Sequence, residues 1–210
     1  MSARYPHLDL CEVSSTSSST NSSVHHGEGV LWRFLPLADP SVELFISRDL
    51  DSLLGQRESD AVQEWIKSGK TIHVMRDHPL HSVSILAGAW GARNHRSDIY
   101  RPLRERLVTV TDTAALVPGE DQLRLEKFVY GPAVERDDVL EHDSYFCGLF
   151  GPSRPFPSRR YLSTYPHFVG DRVMFRDYVK EMRTNENWLF YIRKCPEKCR
   201  PSSHLDWLWC

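Results

Sequence analysis

The sequence lacks any apolar run close to the ~18 residues that a membrane-spanning helix needs, and no apolar core of a signal peptide follows Met1. We therefore predict no transmembrane segment and, for the chain as written, a cytoplasmic location. The sequence also lacks an excess of charge of one sign, because 26 lysines and arginines face 28 aspartates and glutamates. This near balance provides no electrostatic reason to expect a nucleic acid or an anionic membrane as a partner.

Cysteine is scarce as well, and its positions form no regular pattern. The cysteines are Cys11, Cys147, Cys195, Cys199 and Cys210. An odd number, with one cysteine in a Ser-rich tail, does not indicate a disulfide framework. Cys195 and Cys199 would need His204 and Cys210 to complete a zinc site, and that spacing is irregular for zinc. We therefore expect free thiols.

Composition divides the chain into three parts. With 210 residues, of which 40% are hydrophobic and 26% charged, it has the size and composition of one soluble globular domain. Residues 12–28 are mostly Ser, Thr, Asn, His and Gly, so they bury too little to offset the entropy cost of ordering. We predict a disordered tail over 1–29, an α/β domain over 30–171, and a C-terminal extension over 172–210 that is helical and then irregular.

Strand-like and helix-like segments alternate along the domain, which indicates an α/β layer. The segment 57–67 is predicted as a helix that ends at Gly69, because its apolar residues fall on one stripe at helical spacing. The members of that stripe are Ala61, Val62, Trp65 and Ile66. The other predicted elements are strands over 42–46, 71–75, 107–111 and 139–143, a loop over 79–96, helices over 121–130 (ended by Gly131-Pro132) and 171–182, and a strand or helical turn over 188–192.

The most informative motif is a pair of acids just after the apolar run 42–46. Residues i and i+2 of an extended chain point to the same side, so Asp49 and Asp51 present two carboxylates to one point. Open α/β sheets bind ligands at the carboxyl ends of their strands, and paired carboxylates there suit a hard divalent cation. A solvated acidic turn is the alternative interpretation.

A phosphohydrolase with Asp49 as nucleophile and Asp51 as acid is a further alternative. Its signature requires Thr or Val two residues after the second acid, where this chain has Leu53. The motif therefore favours a metal site over this hydrolase.

Eight short blocks in a definite order carry a resemblance to a known family. The blocks are 32–40 (WRFLPLADP), 47–52 (SRDLDS), 75–79 (MRDHP), 85–91 (ILAGAWG), 119–123 (GEDQL), 142–147 (HDSYFC), 155–160 (PFPSRR) and 168–170 (FVG). Together they resemble a glycosyltransferase-like family whose members are similar to the nucleotide-diphospho-sugar transferase (GT-A) fold. The resemblance covers residues 30–171, and the order and spacing of the blocks make it specific.

The resemblance implies metal-dependent transfer of a sugar from a nucleotide-diphosphate donor to a glycan or a small-molecule acceptor. Asp49 and Asp51 would bind Mn²⁺ or Mg²⁺, which stabilises the negative charge that builds on the departing diphosphate. His142, or Asp143 beside it, would complete the site; an ordinary surface or core histidine is the alternative. Because strand ends in one parallel layer meet at one edge, we expect His142 to lie close to Asp49 and Asp51.

The resemblance also implies residues that contact the substrates. Asp121 would orient the acceptor hydroxyl or act as its base, and Gln122 would hold the donor sugar. A helix cap is the alternative for Asp121. Arg76 would bind a phosphate through its fork of donors, and Asp77 would accept hydrogen bonds from sugar hydroxyls. A plain Arg–Asp surface pair is the alternative for these two residues.

The block 85–91 would supply the close approach to the sugar. Gly88 and Gly91 have no Cβ, so the backbone there would come near the ligand. Trp90 between them would offer the sugar an apolar face. A tryptophan that anchors a loop in the core is the alternative.

The chain departs from this family before Asp49. A nucleotide-binding βαβ unit takes ~30 residues or more, and we expect only about twenty ordered residues between the tail and Asp49. The predicted fold is therefore a partial GT-A-like layer that keeps the metal-binding half. A truncated transferase and a non-catalytic remnant that binds a glycan or a protein both fit this expectation. A missing N-terminal segment would also allow a location in the secretory pathway.

Replacing Asp49 or Asp51 with Asn is expected to weaken Mn²⁺ binding at least about ten-fold, or ~1.4 kcal/mol. Each substitution removes one charged oxygen ligand from a cation that prefers such ligands. Isothermal titration calorimetry measures the affinity, and equal Mn²⁺ binding by wild type and both variants would place the site elsewhere.

Overall fold

The computed structural model describes residues 29–109, 118–160, 168–171 and 193–210. The predicted disorder of the tail, the predicted helix beyond Asp171 and the predicted element over 188–192 concern residues outside these ranges. Within them, the chain forms one mixed sheet with helices on both faces.

Four of the five strands end at the same edge of the sheet. The strands are β1 (Leu44–Arg48), β2 (Ile72–Arg76), β3 (Ala89–Arg93), β4 (Val139–Asp143) and β5 (Ser153–Arg154). Their order is β1-β3-β2-β4-β5, with β3 antiparallel to β1 and β2, and with β4 parallel to β2 and β5. It follows that β1, β2, β4 and β5 run in one direction and share a carboxyl edge. The predicted α/β class is confirmed.

The helices are short apart from two. They are α1 (Gly29–Trp32), α2 (Gln56–Ser68), α3 (Ser97–Val108), α4 (Glu120–Leu125) and α5 (Gly131–Glu135), with a π-helical turn (Glu126–Tyr130) between α4 and α5 and 3₁₀ turns at Asn94–Arg96 and Glu197–Cys199. In the described part of the chain, none of them has the length and apolar character to cross a bilayer.

One face of the sheet is covered by α2. Its apolar stripe packs inward as predicted, with Ala61 and Trp65 fully buried and Val62 nearly so. Gly69 ends the helix in the left-handed conformation, with φ at 74°, where a Cβ would be strained. The predicted helix over 57–67 is confirmed and extends one residue further at each end.

The opposite face holds the larger core. Trp90 of β3 packs against Phe34 and Phe45, with ring centroids 6.1 and 5.2 Å away. Residues of α3, the π-helical turn and α5 complete this core. Because both faces are covered, β2 and β4 are buried at every position, and any polar side chain on them needs a partner inside the protein.

The predicted loop over 79–96 contains strand β3. Gly88 and Gly91 suggested a loop, but Gly91 lies inside the strand for a steric reason. A Cβ on Gly91 would lie 2.8 Å from the carbonyl oxygen of Phe45 and 3.3 Å from the Trp65 ring. The glycine therefore lets α2 pack closely on the sheet, and such close approach is a common reason for a glycine inside a strand.

Two boundaries also differ from prediction. Leu107 lies in the last turn of α3 and not in a strand, so the apolar pair Leu107-Val108 belongs to a helical stripe. Gly131-Pro132 does not end the helical region, because the Gly131 N–H donates to Glu126 O across a π-helical turn. Pro132 then occupies the first turn of α5, where its missing N–H costs nothing.

The expectation of free thiols is wrong for four of the five cysteines. Disulfides join Cys147 to Cys199 and Cys195 to Cys210, with separations of 52 and 15 residues. The first disulfide ties the segment 193–210 to the residues that follow β4, and the second closes a loop within that segment. The N–H of Arg160 also donates to Cys210 O at 2.9 Å. Pairing depends on this fold-back of the chain, which cysteine spacing alone does not reveal.

The substitution Gly91→Ala is expected to lower the free energy of unfolding by about 1–3 kcal/mol, because its methyl group would overlap the Phe45 carbonyl and press on Trp65. Gly29→Ala is the matched control, since a Cβ there has nothing within 4 Å. Urea denaturation of both variants measures the difference. Equal stability would mean that α2 does not depend on this close contact.

Candidate functional site

The predicted site lies at the shared carboxyl edge of the sheet. Asp49 follows β1, Asp77 follows β2 and Ser144 follows β4. Strand β3 runs the other way, and its first residue, Ala89, pairs with Arg48 at the end of β1. This register brings Gly88 next to Asp49.

Asp49 packs directly against Gly88. A Cβ on Gly88 would lie 2.5 Å from Asp49 Oδ2, so only glycine fits at this position while Asp49 keeps its place. Arg33 Nη1 donates to Asp49 Oδ1 at 3.0 Å, and the two side chains are 33% and 36% exposed. Asp51 lies two residues further along the same turn and is half-buried. The acidic pair is thus accessible from solvent.

Gln122 reaches the same place from α4. Its side-chain Oε1 accepts the Ala87 N–H at 3.0 Å, and its Nε2 donates to Ile85 O. Both groups of the amide therefore fix the loop that leads into Gly88. Asp121 lies next to it in the first turn of α4, half-buried, with no hydrogen bond or ion pair from its side chain to any described residue. The structure thus places Asp49 against Gly88, and Gln122 against the residues that lead into Gly88.

Arg48 bridges the two sides of the acidic turn that contains Asp49 and Asp51. Its guanidinium donates to Gly88 O at 3.0 Å and to Leu53 O at 3.2 Å, which spans the turn between them. Its Nε also pairs with Glu58 Oε1 at 2.8 Å. Burial lowers the pKa of Arg48 from its ordinary value, and Glu58 opposes this effect. The arginine therefore positions Asp49 and Asp51, and its own charge is balanced by Glu58.

Asp77 is the centre of a buried charge network. It is fully buried, and its Oδ1 pairs with Arg57 at 3.0 Å and Arg160 at 2.5 Å. Ser144 Oγ donates to Oδ1 at 2.5 Å and the Val169 N–H to Oδ2 at 3.0 Å. Burial alone would raise the pKa of Asp77, but the two arginines hold it well below its ordinary value. No part of this carboxylate faces solvent for a sugar hydroxyl.

Arg76 is also committed to partners inside the protein. It is fully buried and pairs with Glu141 and with Asp143, the latter at 2.6 Å. The other oxygen of Asp143 accepts the N–H groups of Tyr145 and Phe146 at 2.8 and 2.6 Å. The geometry therefore assigns Arg76 and Asp143 to the core rather than to a phosphate or a metal.

His142 lies far from the acidic pair. Strands β3 and β2 separate β4 from β1, which at about 4.8 Å per strand spacing puts roughly 14 Å between them. His142 is buried against α2, with Nδ1 at 2.9 Å from His73 Nε2 and Nε2 at 3.2 Å from Glu64 Oε2. The expectation that His142 lies beside Asp49 and Asp51 is wrong, because the antiparallel β3 is inserted between parallel strands.

Trp90 and Gly91 do not reach the edge. Trp90 is fully buried in the core between the sheet and α3, and Gly91 lies beneath Trp65 of α2. Only Gly88 of the predicted sugar-contacting loop lies at the acidic turn.

Among the described residues, one group of three metal-ligating side chains occurs: Asp143, Cys147 and Cys199. Its two sulfur atoms are joined in a disulfide and so cannot act as thiolate ligands. The group is therefore structural in the oxidised protein.

Sequence reasoning missed the basic and acidic residues that surround the edge. Arg159 and Arg160 lie in the block 155–160, for which the resemblance implies no role, and Glu58 has the position of an ordinary first-turn acid of α2. Arg57 likewise gave no signal beyond its place in the helix. The importance of Arg57, Glu58 and Arg160 depends on contacts with residues 10 to 101 positions away, which no local pattern reveals.

Comparison of the chain with protein-family models, with curated proteins and with solved structures found no match. The interpretation of the site therefore depends on the geometry at the carboxyl edge.

Asp77→Asn is expected to lower stability by about 3–5 kcal/mol, because it leaves two buried arginines without a counter-charge. Asp206→Asn, an exposed acid, is the matched control. Since the folded-state pKa of Asp77 is lowered, its contribution is complete above the unfolded value of about 3.9 and is lost as the pH falls below it. Urea denaturation at pH 7 and at lower pH measures both effects. A variant as stable as wild type would show that Asp77 is not structural.

Proposed function

We propose that this chain is a metal-dependent glycosyltransferase-like protein that acts on a nucleotide-diphosphate sugar and a glycan or small-molecule acceptor. The observation that carries the proposal is the contact of Asp49 with Gly88, at the end of a loop fixed by Gln122. These residues come from three distant parts of the chain and meet at a sheet edge, where α/β proteins bind ligands.

Two carboxylates and no histidine are a suitable donor set for Mg²⁺ or Mn²⁺. Such ions are commonly held by one or two carboxylates and keep several water molecules, which leaves positions for diphosphate oxygens. Asp49 and Asp51 would hold the ion, and both are accessible from solvent. Bound there, the ion would act as a Lewis acid toward the diphosphate.

The remaining groups suit the organic part of the reaction. Gly88 lets the backbone of this loop lie directly against the Asp49 carboxylate, since it adds no side chain to that contact. Asp121 is half-buried beside Gln122, and its side chain has no partner among the described residues. We assign Asp121 the task of accepting a hydrogen bond from a substrate hydroxyl, and Gln122 the task of positioning the loop.

A non-catalytic role in binding a glycan or a protein is the second candidate. It is favoured by the ion pair between Arg33 and Asp49, because this pair neutralises one of the two acids without a metal. The same ion pair argues against Asp49 as the nucleophile of a phosphohydrolase, since it occupies one carboxylate oxygen.

The two disulfides bear on where the protein would act. Disulfides form and persist in oxidising compartments and are rare in the cytosol. We therefore favour the secretory pathway or the cell exterior over the cytoplasmic location inferred from the absence of a signal-like segment.

The proposal predicts weak, metal-dependent binding of nucleotide sugars. The expected dissociation constant is millimolar, or ~4 kcal/mol, because the proposed site engages the donor mainly through its metal-held diphosphate. A titration of the ¹⁵N-labelled chain with a panel of nucleotide sugars in Mg²⁺ is expected to shift amide signals near Gly88. Asp51→Asn is expected to remove the shifts, whereas Asp206→Asn keeps them. Shifts of equal size without Mg²⁺, or none with it, would contradict the proposal.

A further inference from the structure

Two histidines and a glutamate form a hydrogen-bonded chain between the sheet and α2. His73 of β2 and His142 of β4 are both fully buried, and His73 Nε2 lies 2.9 Å from His142 Nδ1. The other ring nitrogen of His142, Nε2, lies 3.2 Å from Oε2 of Glu64 in α2. The Glu64 side chain is 32% exposed, and its second oxygen pairs with Arg154 of β5 at 2.6 Å. The hydrogen-bonded chain thus runs from the core to solvent.

The hydrogen bonds determine where the protons lie. The hydrogen bond from His142 and the contact with Arg154 outweigh burial and lower the pKa of Glu64 to about 2, so its carboxylate only accepts hydrogen bonds. His142 Nε2 therefore donates to Glu64. A neutral imidazole has one N–H, so His142 Nδ1 accepts the hydrogen bond of His73 Nε2–H. The remaining lone pair is on His73 Nδ1, which is buried and has no hydrogen-bond partner among the described residues.

A further proton has no favourable position on either ring. On His73 Nδ1 it would form a buried N–H without an acceptor in the described part of the chain. On His142 Nδ1 it would face the N–H of His73, which would have to move its own proton to Nδ1 and so reach the same state. A buried donor that has lost water and found no partner costs free energy, and the cost is greater when the group is charged.

The charged groups that face the two rings are mostly cations. Among the described residues they are Glu64 and Arg57 of α2, Arg154 of β5 and, further along the same face, Arg93 of β3, which donates to Ile66 O. The Arg57 guanidinium lies over the Phe156 ring, whose centroid is 5.3 Å from that of His142. Glu64, the one acid in this set, already pairs with Arg154. These surroundings compensate little of an additional positive charge.

The direction of the pH effect follows from burial. Burial lowers the pKa of both histidines, and although Glu64 opposes this effect on His142, the pKa of His142 remains lowered. A histidine of the unfolded chain has a pKa of about 6.5. Because the folded-state pKa is lowered, the contribution of the pair to stability is complete above about 6.5 and is lost as the pH falls below it. Each histidine lowers the folding equilibrium constant by up to about ten-fold per pH unit, or ~1.4 kcal/mol.

We propose that the chain of His73, His142 and Glu64 is an acid-sensitive switch that releases α2 from the sheet in mildly acidic solution. The His73 ring stacks on the ring of Trp65, the fully buried anchor of α2, with centroids 5.1 Å apart. Because both histidine rings are fully buried, water reaches them only when α2 separates from β2 and β4. Water then supplies the acceptors that the protonated rings lack in the folded protein.

Release of α2 also loosens the carboxyl edge. Arg57 and Glu58, in the first turn of α2, pair with Asp77 and Arg48. The switch therefore couples acidification to the segments that surround the acidic turn. This inference does not rest on the proposed function, because no metal and no sugar takes part in it.

Hydrogen exchange of the full, oxidised chain at about pH 7.5 and about pH 5.5 tests the inference. After correction for the intrinsic exchange rate, we expect the protection of α2 amides to fall at least about ten-fold, while that of α3, on the opposite face of the sheet, stays the same. His142→Gln is expected to make the fall at least about three-fold smaller, because glutamine can keep both hydrogen bonds but takes up no proton. The control is His81→Gln, which removes a histidine at the carboxyl edge whose pKa burial also lowers, and it is expected to keep the fall.

A second measurement depends on no variant. The imidazole ¹⁵N signals at about pH 7.5 are expected to show His73 and His142 as neutral rings with the proton on Nε2. Any other protonation of these rings, an equal loss of protection in α2 and α3, or a His142→Gln variant with the wild-type fall would overturn the inference. Since the two pH values are compared within each variant, a general loss of stability does not imitate the expected result.

Discussion

The buried ion pairs of Asp77 are the constraint on which the carboxyl edge depends. The Asp77 carboxylate holds the start of α2 through its ion pair with Arg57. Through Arg160 it holds the end of the segment 153–160, and the Arg160 N–H in turn donates to Cys210 O. The Val169 N–H donates to the same carboxylate and so holds the segment 168–171. A buried ion pair is weak evidence for net stability, but loss of one partner is costly because the other charge stays buried. The network therefore specifies one arrangement of these segments.

The disulfides act on the same network from outside. The Arg160 N–H donates to Cys210 O, and the Arg160 guanidinium reaches Tyr145 OH at 2.9 Å as well as Asp77. The disulfide from Cys199 to Cys147 ties the segment 193–210 to the residues that follow β4, and the disulfide from Cys210 to Cys195 closes a loop within that segment. Covalent closure restricts the unfolded chain and so favours the state in which Arg160 is buried. The C-terminal segment is thus part of the domain, although composition alone suggested an irregular extension.

Hydrophobic periodicity and the backbone preferences of single residues predicted several elements of this fold. The stripe of α2, its stop at Gly69 and the strands β2 and β4 follow from periodicity and backbone preference, and the structure confirms them. The place of β3 between β1 and β2 was not predictable in this way, because Gly91 favours a loop by composition and a strand only by its contact with Trp65. Strand β3, together with β2, also separates His142 from Asp49, so the predicted third ligand lies away from the acidic pair.

The charged side chains at the carboxyl edge differ in burial and in whether they have partners inside the protein. Arg76, Asp77 and Asp143 are fully buried, and each is paired with charged or N–H partners inside the protein. Asp121 and Arg159 lie at the same edge with side chains that have no described partner. A charged group keeps its binding capacity for a ligand only where the protein has not already satisfied it. The sequence motif drew attention to all the acids alike, whereas hydrogen bonding distinguishes those that hold the fold from those whose side chains have no partner among the described residues.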